Sequence, residues 1–99
     1  MTGRWKLYLD DVRTPVCPLY KVARSSSEAL ALCKEYGMPH YMSLDHDLGG
    51  EDTTMVFLKG LYAMFPTGPI PDYWVHSANP VGKENIISYL ESWKKSLTM

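Results

Sequence analysis

Three short apolar runs in this chain each break off into a cluster of chemically active side chains. Leu7-Tyr8-Leu9 runs into Asp10-Asp11, Tyr41-Met42-Ser43-Leu44 into Asp45-His46-Asp47, and Tyr73-Trp74-Val75 into His76-Ser77-Ala78-Asn79-Pro80. Runs this short and this apolar read as strands covered on both faces. A strand interior has no physical reason to end in acid, imidazole and glycine, and α/β folds keep their chemistry where the backbone leaves the sheet. Three tipped strands therefore predict one sheet with one site along one edge. The stretch Ser43-Leu44-Asp45-His46-Asp47-Leu48-Gly49-Gly50 stands at its centre.

The segments between these strands read as helices and one loop. In Ser25-Ser26-Ser27-Glu28, Ser25 can accept from the backbone N–H three residues on while Glu28 reaches back, a capping box. Ala29, Leu30, Leu32, Cys33 and Tyr36 then form an apolar stripe, and Gly37 supplies the stop. Asp52 or Thr53 caps a second helix, which Met55, Val56, Phe57, Leu58, Leu61, Tyr62, Met64 and Phe65 make apolar nearly all round. It should be the most buried helix, its methionines filling core. Asn79-Pro80 has the pattern of an N-cap followed by proline at the first helical position, and Gly82, Ile86, Tyr89, Leu90 and Trp93 share one face of the helix that follows. Tyr20 to Arg24 reads as a weaker edge strand, while Pro15 and Pro18 keep the preceding segment from forming a regular helix. The order is thus β, loop, β, α, β, α, β, α. It predicts a small three-layer α/β domain with a mainly parallel four-stranded sheet. The connection from Asp10 to Tyr20 is short, because a parallel crossover usually takes a dozen or more residues.

Bulk properties narrow the function classes. The chain has 99 residues, enough for one domain (1–99) with a core of its own. Its formal net charge of -1 argues against binding duplex DNA, which needs a phosphate-neutralising surface, but leaves room for a small phosphate gripped locally. No apolar run approaches the roughly 20 residues of a membrane span. The stretch Met1-Thr2-Gly3-Arg4-Trp5 lacks the apolar region of a signal peptide. Cys17 and Cys33 match no zinc or redox spacing and read as two reduced thiols. A cytoplasmic location is expected.

Asp10, Asp11, Asp45 and Asp47 converge if their strands are neighbours. Single aspartates often serve turns. Four together repel one another unless a cation, a basic group or shared protons compensate, and a hard divalent ion such as Mg²⁺ would do so. His46 and His76 are suited to move protons or bind a metal. His40 precedes its strand at the opposite end and is assigned no role. Ser77, Asn79 and Gly82 surround a helix N-terminus, where free N–H groups and the helix dipole attract phosphate-like anions, although Asn79 also serves as N-cap. Arg13 is placed either to clamp a phosphate oxygen or to pair with Asp10 or Asp11. Tyr62, Phe65, Tyr73 and Trp74 read as core, with base stacking as the alternative.

Three motifs in order, Leu9-Asp10-Asp11-Val12-Arg13-Thr14-Pro15, Ser43-Leu44-Asp45-His46-Asp47-Leu48-Gly49 and Val75-His76-Ser77-Ala78-Asn79-Pro80-Val81-Gly82, resemble the cyclic-phosphate-processing receiver-like (cREC) family, an offshoot of the response-regulator receiver fold found in bacteria and bacteriophages. The resemblance spans nearly the whole chain. It implies a truncated receiver, flavodoxin-like, with strand order about 2-1-3-4 and its site at the strand C-termini. In receivers an acidic pair after the first strand and a phosphoacceptor aspartate after the third hold Mg²⁺. Asp10, Asp11 and Asp45 match those positions, and Ser77 falls near the hydroxyl residue after the fourth strand. The fifth strand with its phosphate-contacting lysine has no counterpart here, and the first helix is reduced to a proline-containing loop. Both departures count against aspartyl-phosphate signalling. The additional His46, Asp47, His76 and Asn79 fit the processing of cyclic phosphates instead.

The resulting expectation is a phosphoesterase acting on a cyclic nucleotide or on an RNA 2′,3′-cyclic phosphate end, in bacterial or phage conflict. Asp10, Asp11, Asp45 and Asp47 would hold the metal. Asp45, His76 and His46 would carry the chemistry, with or without that metal, and Arg13, Ser77, Asn79 and Gly82 would bind phosphate. The rival from another class is a non-catalytic module that sequesters a cyclic nucleotide or regulates a partner. A receiver-like domain phosphorylated on Asp45 is the third reading. The oligomeric state is left open, a homodimer included.

Overall fold

Four strands of four residues each carry the molecule: β1 (Lys6–Leu9), β2 (Tyr20–Ala23), β3 (Tyr41–Leu44) and β4 (Asp72–Val75). The computed structural model describes residues 4–98, so Met1-Thr2-Gly3 lies outside the described residues. The strands form one sheet in the order β2-β1-β3-β4, and all three pairings are parallel. This is the small receiver-like, flavodoxin-like α/β arrangement that the sequence predicts. The register sets Leu9 beside both Ala23 and Leu44, and Leu44 beside Val75, so the strands end level. The polar residues that follow each strand therefore emerge at one edge.

Three helices follow: α1 (Ser26–Tyr36), α2 (Thr54–Met64) and α3 (Pro80–Leu97). The crossovers from β2 to β3 and from β3 to β4 run in the same direction across the sheet. Right-handed crossovers then place α1 and α2 on the same face. That face carries the core. Leu7, Leu9, Met42 and Leu44 are fully buried, packed with Ala29, Cys33, Phe57, Leu58, Leu61, Ile86 and Leu90. The return from β1 to β2 runs the other way, so the same handedness assigns loop 11–19 to the opposite face. The third layer there is a loop where a full receiver has a helix. On this side Lys6, Tyr8, Tyr20, Val22 and Tyr41 remain half-buried and Trp74 is exposed.

Local chemistry explains how so short a crossover closes. The Arg24 guanidinium donates from Nη1 to the carbonyls of Asp10 (3.1 Å) and Arg13, and from Nη2 to Thr14 Oγ1 (2.9 Å). One side chain thus satisfies loop carbonyls that a helix would have paired internally. At the start of α1, Ser25 Oγ accepts from Glu28 N–H (3.1 Å), but the Glu28 carboxylate accepts from the N–H of Arg24 (2.7 Å), one residue further out than the capping box predicts. Asp52 does not cap α2. Its carboxylate accepts from the N–H (2.8 Å) and hydroxyl (2.6 Å) of Ser26, tying the start of α1 to the loop before α2. Thr53 is the N-cap, with no side-chain bond. Gly37 ends α1 at φ 87°, its N–H donating to Cys33 O (2.8 Å). In α2 the buried apolar stripe is Phe57, Leu58 and Leu61, while Val56 and Tyr62 face solvent because only two helices flank it. α3 buries Gly82, Ile86, Leu90 and Trp93. No helix among the described residues is long and apolar enough to cross a membrane.

Candidate active site

Asp10 is the first residue beyond β1 and is fully buried. Its N–H donates to Ala23 O (3.1 Å), fixing the backbone against the neighbouring strand. Its Oδ1 accepts from the N–H groups of Val12 (2.9 Å) and Arg13 (2.8 Å), and its Oδ2 lies 2.9 Å from His76 Nε2. Burial alone would raise the pKa of this carboxyl. The donors from Arg13, Val12 and His76 outweigh it and hold the group below the usual carboxylate range.

Asp45 occupies the equivalent place beyond β3. Its N–H donates to Leu9 O (2.9 Å), and its Oδ1 accepts from the N–H of His46 (2.9 Å). Asp11 joins these two, and one ligand oxygen from each of Asp10, Asp11 and Asp45 lies within 4.8 Å of the others. Oxygens on opposite sides of an ion are about 4 Å apart around Mg²⁺ and about 5 Å apart around Ca²⁺. The triangle is thus the right size for a hard cation. Among the described residues the ion pairs to this cluster come from Arg13 and His76, and both reach Asp10. Asp11 and Asp45 keep hard oxygen donors without a cationic side chain beside them, so the donor set fits a metal ion as receiver sites do. Gly49, at φ 92°, takes a left-handed backbone turn that favours glycine, facing Asp11 Oδ2.

Asp47 stands outside this cluster, although the sequence grouped it with the metal ligands. An antiparallel bridge between Asp47 and Thr53 turns the loop away. The exposed carboxylate instead meets His46 Nδ1 (3.0 Å, Oδ1) and Asn79 Nδ2 (3.4 Å, Oδ2). The hydrogen bond from His46, followed by that from Asn79, holds its carboxyl below the ordinary range.

The two histidines have different surroundings. His76 is bonded at both ring nitrogens, Nε2 to Asp10 and Nδ1 to Ser43 Oγ (2.9 Å), and its ring lies flat on Tyr8, with centroids 4.9 Å apart and planes 9° from parallel. Ser43, buried within β3, is a site residue that the sequence reading passed over. Its signal was its chemistry, one small polar side chain inside an otherwise apolar run. His46 is held by Asp47 at Nδ1 only, and the described residues offer its Nε2 no hydrogen-bond partner.

The remaining predicted phosphate ligands cluster at the start of α3. Asn79 Oδ1 accepts from Gly82 N–H (3.1 Å), and Ser77 Oγ accepts from Asn79 N–H (3.0 Å). The Gly82 amide is therefore engaged in the helix cap and is not a free phosphate donor. What Gly82 supplies is room, since a Cβ at this position would come within 2.4 Å of the His46 ring. Arg13 donates from Nη1 to His76 O (3.2 Å) and places Nε 3.9 Å from Asp10 Oδ2, with its side chain about half exposed. The site thus gathers three carboxylates, one imidazole with a free nitrogen, one imidazole tied between strands, and one guanidinium with donors to spare.

A family model described as the cyclic-phosphate processing receiver domain matches residues 5–92 of the chain. No curated protein and no solved structure matches it.

Proposed function

The chain belongs to the cyclic-phosphate processing receiver family, and from that premise we propose that it is a phosphoesterase that opens a cyclic phosphodiester, either a cyclic nucleotide or an RNA 2′,3′-cyclic phosphate end. The observation that carries this reading is the Asp47–His46 pair, which follows Asp45 of the acidic cluster directly in the chain. A carboxylate that fixes Nδ1–H leaves Nε2 as the proton acceptor, which is what hydrolysis near neutral pH requires of a general base.

Asp10, Asp11 and Asp45 would hold a hard divalent cation such as Mg²⁺, which their all-oxygen chemistry suits. When bound, such an ion withdraws charge from phosphoryl oxygens and lowers the pKa of water. The chain's own groups do the rest. His46 Nε2 takes the proton of a water whose oxygen forms a new bond to phosphorus. One ring P–O ester bond breaks, and the leaving alkoxide receives a proton from the His46 imidazolium. The product is a phosphomonoester with a free hydroxyl, so atoms and charge balance. Arg13 meets the charge that builds on the non-bridging oxygens through the donors not bound to His76 O. The Ser77 hydroxyl, which accepts from Asn79 N–H, keeps its own proton for a phosphate oxygen. His76, tied between Asp10 and Ser43, orients the Asp10 carboxylate toward the cluster.

The test is product analysis on a panel of cyclic mononucleotides with Mg²⁺, with chelator, and with His46→Ala beside the parent. General-base removal should slow turnover by roughly 10²–10⁴-fold, and chelation should abolish it. A ligand that binds and is recovered unchanged, or a His46→Ala protein as fast as the parent, would contradict the proposal.

A further inference from the structure

The sheet face opposite the helices carries more aromatic side chains than the proposed reaction uses. From the site edge inward, Tyr8 stacks on His76, Tyr20 meets Tyr8 edge-on at 5.6 Å, and Tyr41 follows Tyr20 at 6.3 Å. The register accounts for the row: Lys6 pairs with Tyr20 on one side and Tyr41 on the other, so all three side chains share one face. Alternation along β1 puts Asp10, Tyr8 and Lys6 on that same face at intervals of about 7 Å. Lys6 Nζ sits 5.8 Å from the Tyr20 ring centre and 6.0 Å from that of Tyr41. Trp74, 61% exposed, lies further across the face with Lys83 Nζ 5.7 Å from its ring centre.

We propose that this face is a stacking subsite for the unpaired bases of single-stranded RNA, with Tyr20 and Tyr41 as the platforms and Lys6 between them meeting the backbone phosphate. The proposal rests on the phosphoesterase reading, and it selects a cyclic-ended RNA strand over a free cyclic nucleotide as substrate. Two observations argue for this occupant. The row is continuous with the site, because Tyr8 touches His76 and lies two residues before Asp10, so a strand whose end reaches the carboxylates passes over Tyr20 and Tyr41. The charge also fits. Among the described residues Lys6 has no carboxylate within ion-pair distance, and Asp72 on β4 is the acid at the far end of its row. Covering that ammonium without a partner would be costly, and a backbone phosphate laid over this face would pair it. Aromatic faces on a sheet with interleaved cations bind single strands without sequence preference, because every base has a π-face.

The experiment compares two probes by fluorescence anisotropy and competition: a short oligouridylate ending in a 2′,3′-cyclic phosphate, and uridine 2′,3′-cyclic phosphate alone. Both are used in chelator so that neither is consumed. The parent should bind the oligonucleotide at least ten-fold more tightly. Tyr20→Ala, Tyr41→Ala and Lys6→Gln should each shrink that ratio several-fold, and the double tyrosine variant should bring it near one. Tyr20→Phe and Tyr41→Phe keep the ring and should keep the ratio, which separates stacking from hydrogen bonding by the hydroxyls, whereas a folding defect would weaken binding of both probes alike. An oligonucleotide that binds no tighter than the mononucleotide, or a ratio indifferent to all three substitutions, would overturn the subsite. So would tyrosine variants that abolish a dimer in light scattering while leaving the ratio intact. Turnover of the mononucleotide is read separately, so loss of the subsite and failure of the hydrolase reading give different results.

Discussion

His46 and His76 follow adjacent strands, and their neighbours set them apart. Two hydrogen bonds lock His76, while one leaves His46 with a nitrogen to use. Asp10 shows similar accounting. A carboxylate offers about four lone-pair sites, and Val12, Arg13 and His76 take three, leaving one for a cation. The assignment of Asp11 is testable by a change of sign. Without a metal, Asp11→Asn removes one of three mutually repelling charges and should raise the melting temperature. With Mg²⁺ the order should reverse, because the parent gains about 2.7 kcal/mol at a hundred-fold excess over Kd and the variant gains far less. Thermal melts in chelator and in Mg²⁺ read both signs; a parent indifferent to Mg²⁺, or a variant less stable in chelator, would contradict the cluster's role. The positions Asp10, Asp11 and Asp45 were legible because an apolar run that stops in acid marks a strand end. Asp47 and Ser43 were not. Asp47 is two residues from Asp45 in sequence, and only the bridge to Thr53 carries it out of the cluster. Ser43 becomes a site residue only when β4 brings His76 alongside β3.

At the level of elements, α3 is positioned by bonds at two levels. Asn79 caps its start, and further along Tyr73 of β4 donates its hydroxyl to Glu91 (2.6 Å). Burial, then the hydrogen bond to Glu91 and its charge, pushes the Tyr73 phenol up to about 12. A folded-state pKa raised above the unfolded value of about 10 contributes stability that is full below pH 10 and lost as pH rises toward 12. Tyr73→Phe should therefore flatten the loss of stability between pH 10 and 12, measured by denaturant unfolding across that range. An unchanged slope would mean that the Tyr73–Glu91 bond does not hold α3 to β4. Helix starts and stops were readable from Ser25, Gly37, Asn79 and Pro80, whose signals act within a few residues. The bond from Asp52 to Ser26 was not, since it joins residues 26 positions apart and local pattern offered a nearer task. The outer side of α2 was misjudged in degree for a similar reason: composition shows that Val56 and Tyr62 are apolar, not that neighbouring helices fail to cover them.

For the whole molecule, parallel pairing followed from the alternation of elements and strand order from the family resemblance, and the position of the site followed from both. Four level parallel strands bring residues 10, 45 and 76 to one edge. Helices on one face and a loop on the other leave that edge open beside an aromatic sheet surface. A net charge of -1 is consistent with this layout, because the cations that would meet phosphate are individual residues, Arg13 and Lys6, and not a broad basic patch. The proposed activity of this edge is hydrolysis of a cyclic phosphodiester. The most direct measurement is ³¹P NMR of a 2′,3′-cyclic-phosphate-ended oligonucleotide incubated with the protein and Mg²⁺. The cyclic-phosphate resonance should be replaced by that of a phosphomonoester, and His46→Ala or chelator should prevent it. A cyclic resonance that persists with the wild-type protein and Mg²⁺ while the oligonucleotide is bound would contradict that activity.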